Sequence, residues 1–294
     1  MLKYLLFFAG LPLVPLLSAG DTGGFFVDKT TPLAALQQAN ERFLARYKSK
    51  FSWQDYLALI DELADTKRYK VIAGEDFSTV SAPDKVVVYF RHDMDLAPFH
   101  GVKMSREEKK RNLRGSYYVL HSARYYGTKK PGKMIRYAAM DALWKEIRDN
   151  GHEIGIHNDL FSMQLTNGID PVKFQAAELA YYRAAGLPVT GTVCHGGVIN
   201  AWGLNNTWIF SDFRKKGAYT HKGKVYKYGE RSVKDFGFTY EGYRLRCNVR
   251  LSDISKYDAS GLLKRLKACK PGDKVSLLLH PCHWRKDASV SGKK

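Results

Sequence analysis

The residues in this sequence best equipped for chemistry stand in short clusters, each directly after an apolar run. Val86-Val87-Val88-Tyr89-Phe90 leads into Arg91-His92-Asp93-Met94-Asp95, and Glu153-Ile154-Gly155-Ile156 leads into His157-Asn158-Asp159. Val193-Cys194 is followed by His195-Gly196-Gly197, and Leu277-Leu278-Leu279 by His280-Pro281. Carboxylates and neutral imidazoles supply the oxygen and nitrogen donors that a divalent metal takes. The same groups serve general acid–base catalysis, His in particular because its ordinary pKa of ~6.5 lies near neutrality. Taken singly, a His in such a place is as readily a hydrogen-bonded loop residue, and an Asp as readily a helix cap. The weight lies in several clusters sharing one position.

That position is set by the elements around them. An apolar, β-branched run such as Val86–Phe90 reads as a strand buried on both faces, which is the pattern of a parallel sheet. Strands are expected at 86–90, 116–120, 152–157, 189–195 and 274–280. Helices are expected between and around them. One spans 52–64, with Ser52 and Asp55 as a capping pair and Trp53, Tyr56, Leu57, Ile60 and Leu63 at helical spacing. Others span 105–114, 140–150, a stretch opened by Asp170-Pro171 and ended by Gly186, and 260–269. Helix and strand in alternation predict an α/β fold with parallel strands, closed into a barrel or doubly wound. In either case the C-terminal strand ends share one rim, where sites form. His92, His121 and His152 are read as structural, His152 because it opens its strand and belongs to the opposite rim. Residues 200–255 are aromatic and basic with weak periodicity, and no element is assigned there.

Read in order, RHDMD (91–95), GHEIGIHNDL (151–160), CHGG (194–197) and LLLHP (277–281) resemble the motifs of polysaccharide deacetylases of the NodB-homology type, carbohydrate esterase family 4 and its relatives. More closely they resemble the divergent branch whose first motif is Arg-His-Asp-x-Asp. The resemblance spans residues 50–285. It implies a distorted (β/α)7-type barrel, a divalent metal, usually zinc, and hydrolysis of an N- or O-acetyl group on a glycan. It implies Asp93 as catalytic base, His280 as general acid, and Asp95 and His157 as metal ligands. Three departures matter. Met94 separates aspartates that are usually adjacent. Phe161 stands where the second motif usually carries a further His, so His195 or Asp159 must complete the metal site, with His195 preferred. The usual Arg-x-Pro-Tyr third motif is missing and CHGG stands in its region, which makes Arg91 a candidate partner for Asp93. Arg91 and Trp284 are also candidate substrate contacts, Trp284 together with His283 as a sugar-binding surface.

The bulk numbers set the frame. With 294 residues, 45% of them hydrophobic, the chain is globular and long enough for one large domain or two small ones. A net charge of +18 favours an anionic neighbour. No helix-turn-helix, RNP or zinc-finger pattern occurs, so nucleic acid is not the expected partner. Lys109, Lys110, Arg111 and Arg114 on one expected helix, Lys129, Lys130 and Lys133 in a loop, and Arg214, Lys215 and Lys216 form either a solvated surface or a footprint for an anionic glycan or cell envelope. Residues 1–20 resemble a secretory signal peptide, with an uncleaved anchor as the alternative. A secreted or periplasmic location follows. Cys194, Cys247, Cys269 and Cys282 include no C-x-x-C pair, and disulfides and free thiols both fit. The expected division is a leader at 1–20, a helical lead-in at 21–82, the barrel at 83–285 and a basic tail at 286–294. Two rival readings remain: a glycan-binding barrel without chemistry, and another metal-dependent C–N hydrolase on the same fold.

Overall fold

The computed structural model describes residues 22–285, so the leader and the basic tail lie outside the described residues. Eight parallel strands position the site. They are β1 Tyr69–Ile72, β2 Val86–Met94, β3 Ser116–Leu120, β4 Glu153–Asn158, β5 Gly191–Cys194, β6 Tyr240–Glu241, β7 Val249–Ser252 and β8 Lys274–Leu279. Their order is β6-β5-β4-β3-β2-β8-β7, with β1 set beside β2 off that path. Every pairing is parallel. The sheet curls into a half-barrel. Among the described residues no ladder joins β6 to β7.

All nine residues of β2 are buried, and its neighbours change along its length. One edge pairs with β1 over Val86–Tyr89 and then with β3 over Arg91–Met94. The other edge pairs with β8 over Val87–His92. Side chains alternate across a strand. Val86, Val88 and Phe90 therefore join Tyr56, Ile60 and Leu63 of the helix Trp53–Leu63 and Leu262 and Leu266 of the helix Ala259–Lys267. Val87 and Tyr89 face the other way and meet Tyr118 and Val193. Two helix starts follow the expected chemistry. Ser52 Oγ accepts from Asp55 N, and Asp55 accepts in return from Ser52 N, each at 3.0 Å. Asp170 accepts from Val172 N at 3.0 Å and Lys173 N at 3.1 Å at the head of Pro171–Ala184.

Several expectations need correction. β2 runs on through Arg91, His92, Asp93 and Met94, because its ladders with β3 and β8 continue past the apolar run. The charged helix begins at Pro98 and ends at Lys110. The lead-in is not purely helical. Phe25–Asp28 is a strand paired with Lys133–Tyr137, and β1 belongs to the main sheet, so a boundary at 82/83 cuts between two hydrogen-bonded strands. Residues 200–255 hold an antiparallel hairpin, Gly217–His221 with Lys224–Tyr228, as well as β6 and β7. All four cysteines are free thiols, three buried and Cys247 half-buried. No helix among the described residues is long and apolar enough to cross a membrane.

Candidate metal centre

Alternation along β2 puts Arg91 and Asp93 on the same face, both buried. The Arg91 fork donates twice, Nε to Asp93 Oδ1 at 2.7 Å and Nη2 to Oδ2 at 2.6 Å. Burial alone would raise the Asp93 carboxyl, but the Arg91 charge beside it, helped by His157, holds it well below the usual carboxylate range. Asp95 lies just past the end of β2, where its N–H bonds the Asp93 carbonyl at 3.0 Å. His157, from β4, donates from Nδ1 to the Val193 carbonyl on β5 at 2.9 Å. That bond commits the Nδ1 hydrogen and turns Nε2 to the site, 3.3 Å from Asp93 Oδ2 and 3.3 Å from Asp95 Oδ1.

His195 follows β5, its N–H held by the Asn158 carbonyl at 2.8 Å. Its Nδ1 lies 3.4 Å from Asp159 Oδ1. Asp159 is itself pinned by Asn206 Nδ2 at 2.8 Å and by the Ser122 hydroxyl, while its backbone N–H donates to His121 Nε2 at 2.8 Å. One ligand atom from each of Asp95, His157 and His195 lies within 4.8 Å of the others. Asp95 Oδ1 is buried and makes no hydrogen bond. A buried carboxylate oxygen whose nearest donor, His157 Nε2, stands 3.3 Å away without forming a hydrogen bond is a costly arrangement that a cation relieves. One oxygen and two nitrogen donors fit a divalent metal. Of the two residues expected to complete the set, His195 belongs to this candidate group, and Asp159 stands behind it, its carboxylate 3.4 Å from the ring. Phe161 is buried in the core against Tyr228, ring centres 6.0 Å apart, and offers nothing to the site.

The remaining catalytic candidate, His280, is braced by a residue that no motif marks. Asp253, just past β7 and buried, accepts from His280 N at 2.6 Å, His280 Nδ1 at 2.7 Å and Trp284 Nε1 at 2.9 Å, and lies 3.1 Å from His283 Nδ1. His280 Nε2 is thereby left facing Asp95 Oδ2 at 3.8 Å. Burial pulls the His280 imidazolium down, but the bond to Asp253 and the charges of Asp253, Asp95 and Asp93 outweigh it and push the group up to about 9. Asp253, His280 and His283 also have metal-ligand spacing. Three N–H donors already engage that carboxylate, so this group acts as a brace.

Two substrate contacts are withdrawn. Trp284 is fully buried, its indole N–H spent on Asp253 and its ring 4.4 Å from that of Phe51, so no face is left for a sugar. Arg91 is 1% exposed and serves Asp93 instead. The histidines read as structural are so: His92 lies 2.8 Å from Glu108, His121 lies 3.1 Å from Glu178, and His152 accepts from Gly115 N at 3.1 Å. Tyr243 was also missed. Its ring lies 4.8 Å from the Arg91 guanidinium, and its hydroxyl accepts from Arg91 Nη2 at 3.4 Å. Asn206, Tyr243 and Asp253 all fall in the aperiodic 200–255 stretch, where only the polar character of single residues could have marked them.

A groove of about 450 Å³ opens at Asp95, Asp159 and His195 and reaches Asn40, Phe43 and Arg124. A larger cavity of about 570 Å³ lies between Ile169–Lys173 and the strand Lys224–Tyr228, and it contains none of the candidate ligands. Chemistry, not size, selects the smaller one. Comparison of the chain with protein-family models, with curated proteins and with solved structures finds no match.

Proposed function

We propose that this chain is a metal-dependent hydrolase that removes an N- or O-linked acetyl group from a glycan, on a distorted (β/α)7-type barrel of the NodB-homology kind. The observation that carries this reading is the buried, unbonded Asp95 Oδ1 facing His157 and His195, with Asp93 and His280 on either side. Asp95, His157 and His195 would hold the cation, and a one-carboxylate, two-imidazole set favours zinc. Bound there, it supplies Lewis acidity toward a water and the acetyl carbonyl.

The protein's own groups move the protons. Arg91 keeps Asp93 ionised and fixed in place. Asp93 would take the attacking water's proton as that water's oxygen bonds the acetyl carbon. His280 carries its transferable proton on Nε2, since Nδ1 is committed to Asp253. It gives that proton to the leaving amine or alcohol as the C–N or C–O bond breaks. The signal-like leader supports a secreted or periplasmic setting, and the charge of +18 supports an anionic glycan or envelope nearby.

Phe161 in place of a second histidine favours one alternative, a glycan-binding barrel that has lost its chemistry. Acetate release from acetylated glycans, measured on metal-stripped protein and again after adding zinc, separates the two. Zinc-dependent release is expected, with Asp93→Asn and His280→Ala each costing ~10²–10⁴ in rate. Full activity in either variant would remove that residue from the mechanism. Zinc binding without release from any glycan would leave the binding barrel.

A further inference from the structure

The groove that opens on Asp95 and His195 is also lined by basic side chains. Arg124 and Lys129 line it, and both are exposed. Arg124 lies over the ring of Phe43, 5.5 Å from its centre, so the guanidinium is steadied beside the groove without a counter-charge. Lys129 belongs to the hairpin Gly127–Lys130 with Lys133–Tyr137. At the tip of that hairpin Lys130 and Lys133 stand directly opposite each other. Like charges in that register are destabilising. No Asp or Glu occurs in the sequence between Glu108 and Asp141. Among the described residues none of Arg124, Lys129, Lys130 or Lys133 forms an ion pair. The acids on the groove, Asp95 and Asp159, are committed at its metal end.

We infer that this groove is a subsite for a negatively charged sugar next to the acetylated one, so that the natural substrate is an anionic glycan. The shared chemistry is an anionic substituent, the carboxylate of a uronic acid or a phosphate ester, received by Arg124 and Lys129. The hydrolytic part of this inference rests on the deacetylase reading; the binding part does not.

The test uses the zinc-loaded full chain and three polymers: an acetylated polyuronate, the same polymer with its carboxyl groups reduced to alcohols, and an acetylated polymer of phosphodiester-linked sugars. At low salt, kcat/KM should be about tenfold higher on a charged polymer than on the reduced one, and the advantage should shrink as salt is added. In the double variant R124Q/K129Q the charged-to-neutral ratio should fall to near one. A preference for the polyuronate alone assigns the subsite to carboxylate, and for the phosphodiester polymer alone to phosphate. A ratio near one in the unaltered protein, or a ratio the double variant leaves intact, overturns the inference. Should no polymer release acetate, the deacetylase reading fails, and direct binding still decides the subsite. Tighter binding of unacetylated polyuronate or phosphodiester polymer by the unaltered chain than by R124Q/K129Q supports it, and equal binding overturns it.

Discussion

Asp253 accepts the Nδ1–H of His280 and so decides which nitrogen faces the site. Arg91 does the converse for Asp93, holding both carboxylate oxygens and keeping the group ionised. Each partner acts through its neighbour, and that makes a prediction about coupling. On the proposed mechanism, Asp253→Asn should lower kcat by ~10²-fold and leave the content of any bound metal unchanged, because His280 loses the charge that keeps its proton. Adding Asp253→Asn to His280→Ala should cost almost nothing further, since residues acting as one unit are not additive. Independent losses that multiply in the double variant would show that Asp253 acts elsewhere. At this scale the sequence was legible where chemistry sits at a strand end: Asp93, Asp95, His157, His195 and His280 are where such residues should be. It was illegible where the role depends on a neighbour across the sheet. Leu251-Ser252-Asp253 reads as a strand running into a turn, and only the parallel pairing of β7 with β8 brings Asp253 to His280. Arg91 is the partner of Asp93 that the missing third motif suggests, but not a substrate contact, because the ladder continues past Phe90 and alternation turns Arg91 inward.

Strands β2, β3 and β6 fill the half-barrel below the site with a column of three tyrosines. Tyr89 and Tyr118 hydroxyls lie 2.6 Å apart, Tyr118 and Tyr240 2.6 Å, and Tyr240 donates to Glu153 at 2.6 Å. Such bulk needs space on the neighbouring strands, and two glycines in register with the rings supply it. A Cβ at Gly155 would sit 2.5 Å from the Tyr118 ring, and one at Gly191 would sit 2.2 Å from Tyr240 Cζ. Gly155→Ala and Gly191→Ala should therefore each destabilise the fold by about 1–3 kcal/mol, the usual cost of overpacking. Urea unfolding measures it. Combining Gly191→Ala with Tyr240→Leu should recover part of that loss, and a Gly191→Ala protein as stable as the parent would mean the ring has room to move. Both glycines lie in runs that read correctly as strands. Their reason was hidden because Tyr240, the ring that Gly191 accommodates, lies in the stretch without periodicity, and β6 is only two residues long.

For the molecule as a whole, the foot of that column gives stability a pH dependence. Glu153 is 6% exposed, and burial pushes its carboxyl from an ordinary 4.5 up to about 7, against the pull of the Ser116 and Tyr240 hydrogen bonds. The folded state then keeps a proton that the unfolded chain gives up. Its contribution is fully present below about 4.5 and is lost as pH rises through about 7. The full span is worth about 3 kcal/mol. Asp159 and Asp253 act with the opposite sign. Each is held down to about 2 although burial opposes it, Asp159 chiefly by His195 and Asp253 chiefly by His280. Their contributions are present above an ordinary 3.8 and fade as pH falls toward 2. Stability should accordingly decline on both sides of a mildly acidic optimum. Glu153→Gln, which cannot ionise, isolates the upper limb. Urea unfolding of both proteins at pH 5 and pH 7.5 should show the parent losing stability relative to the variant by up to about 3 kcal/mol as pH rises. Any metal contribution cancels in that difference, because Glu153 is not one of the candidate ligands. Parallel pH profiles for the two proteins would mean that Glu153 ionises in the folded state at its ordinary value, with the Tyr240 hydroxyl and the Gly74 and Ser116 donors outweighing its burial.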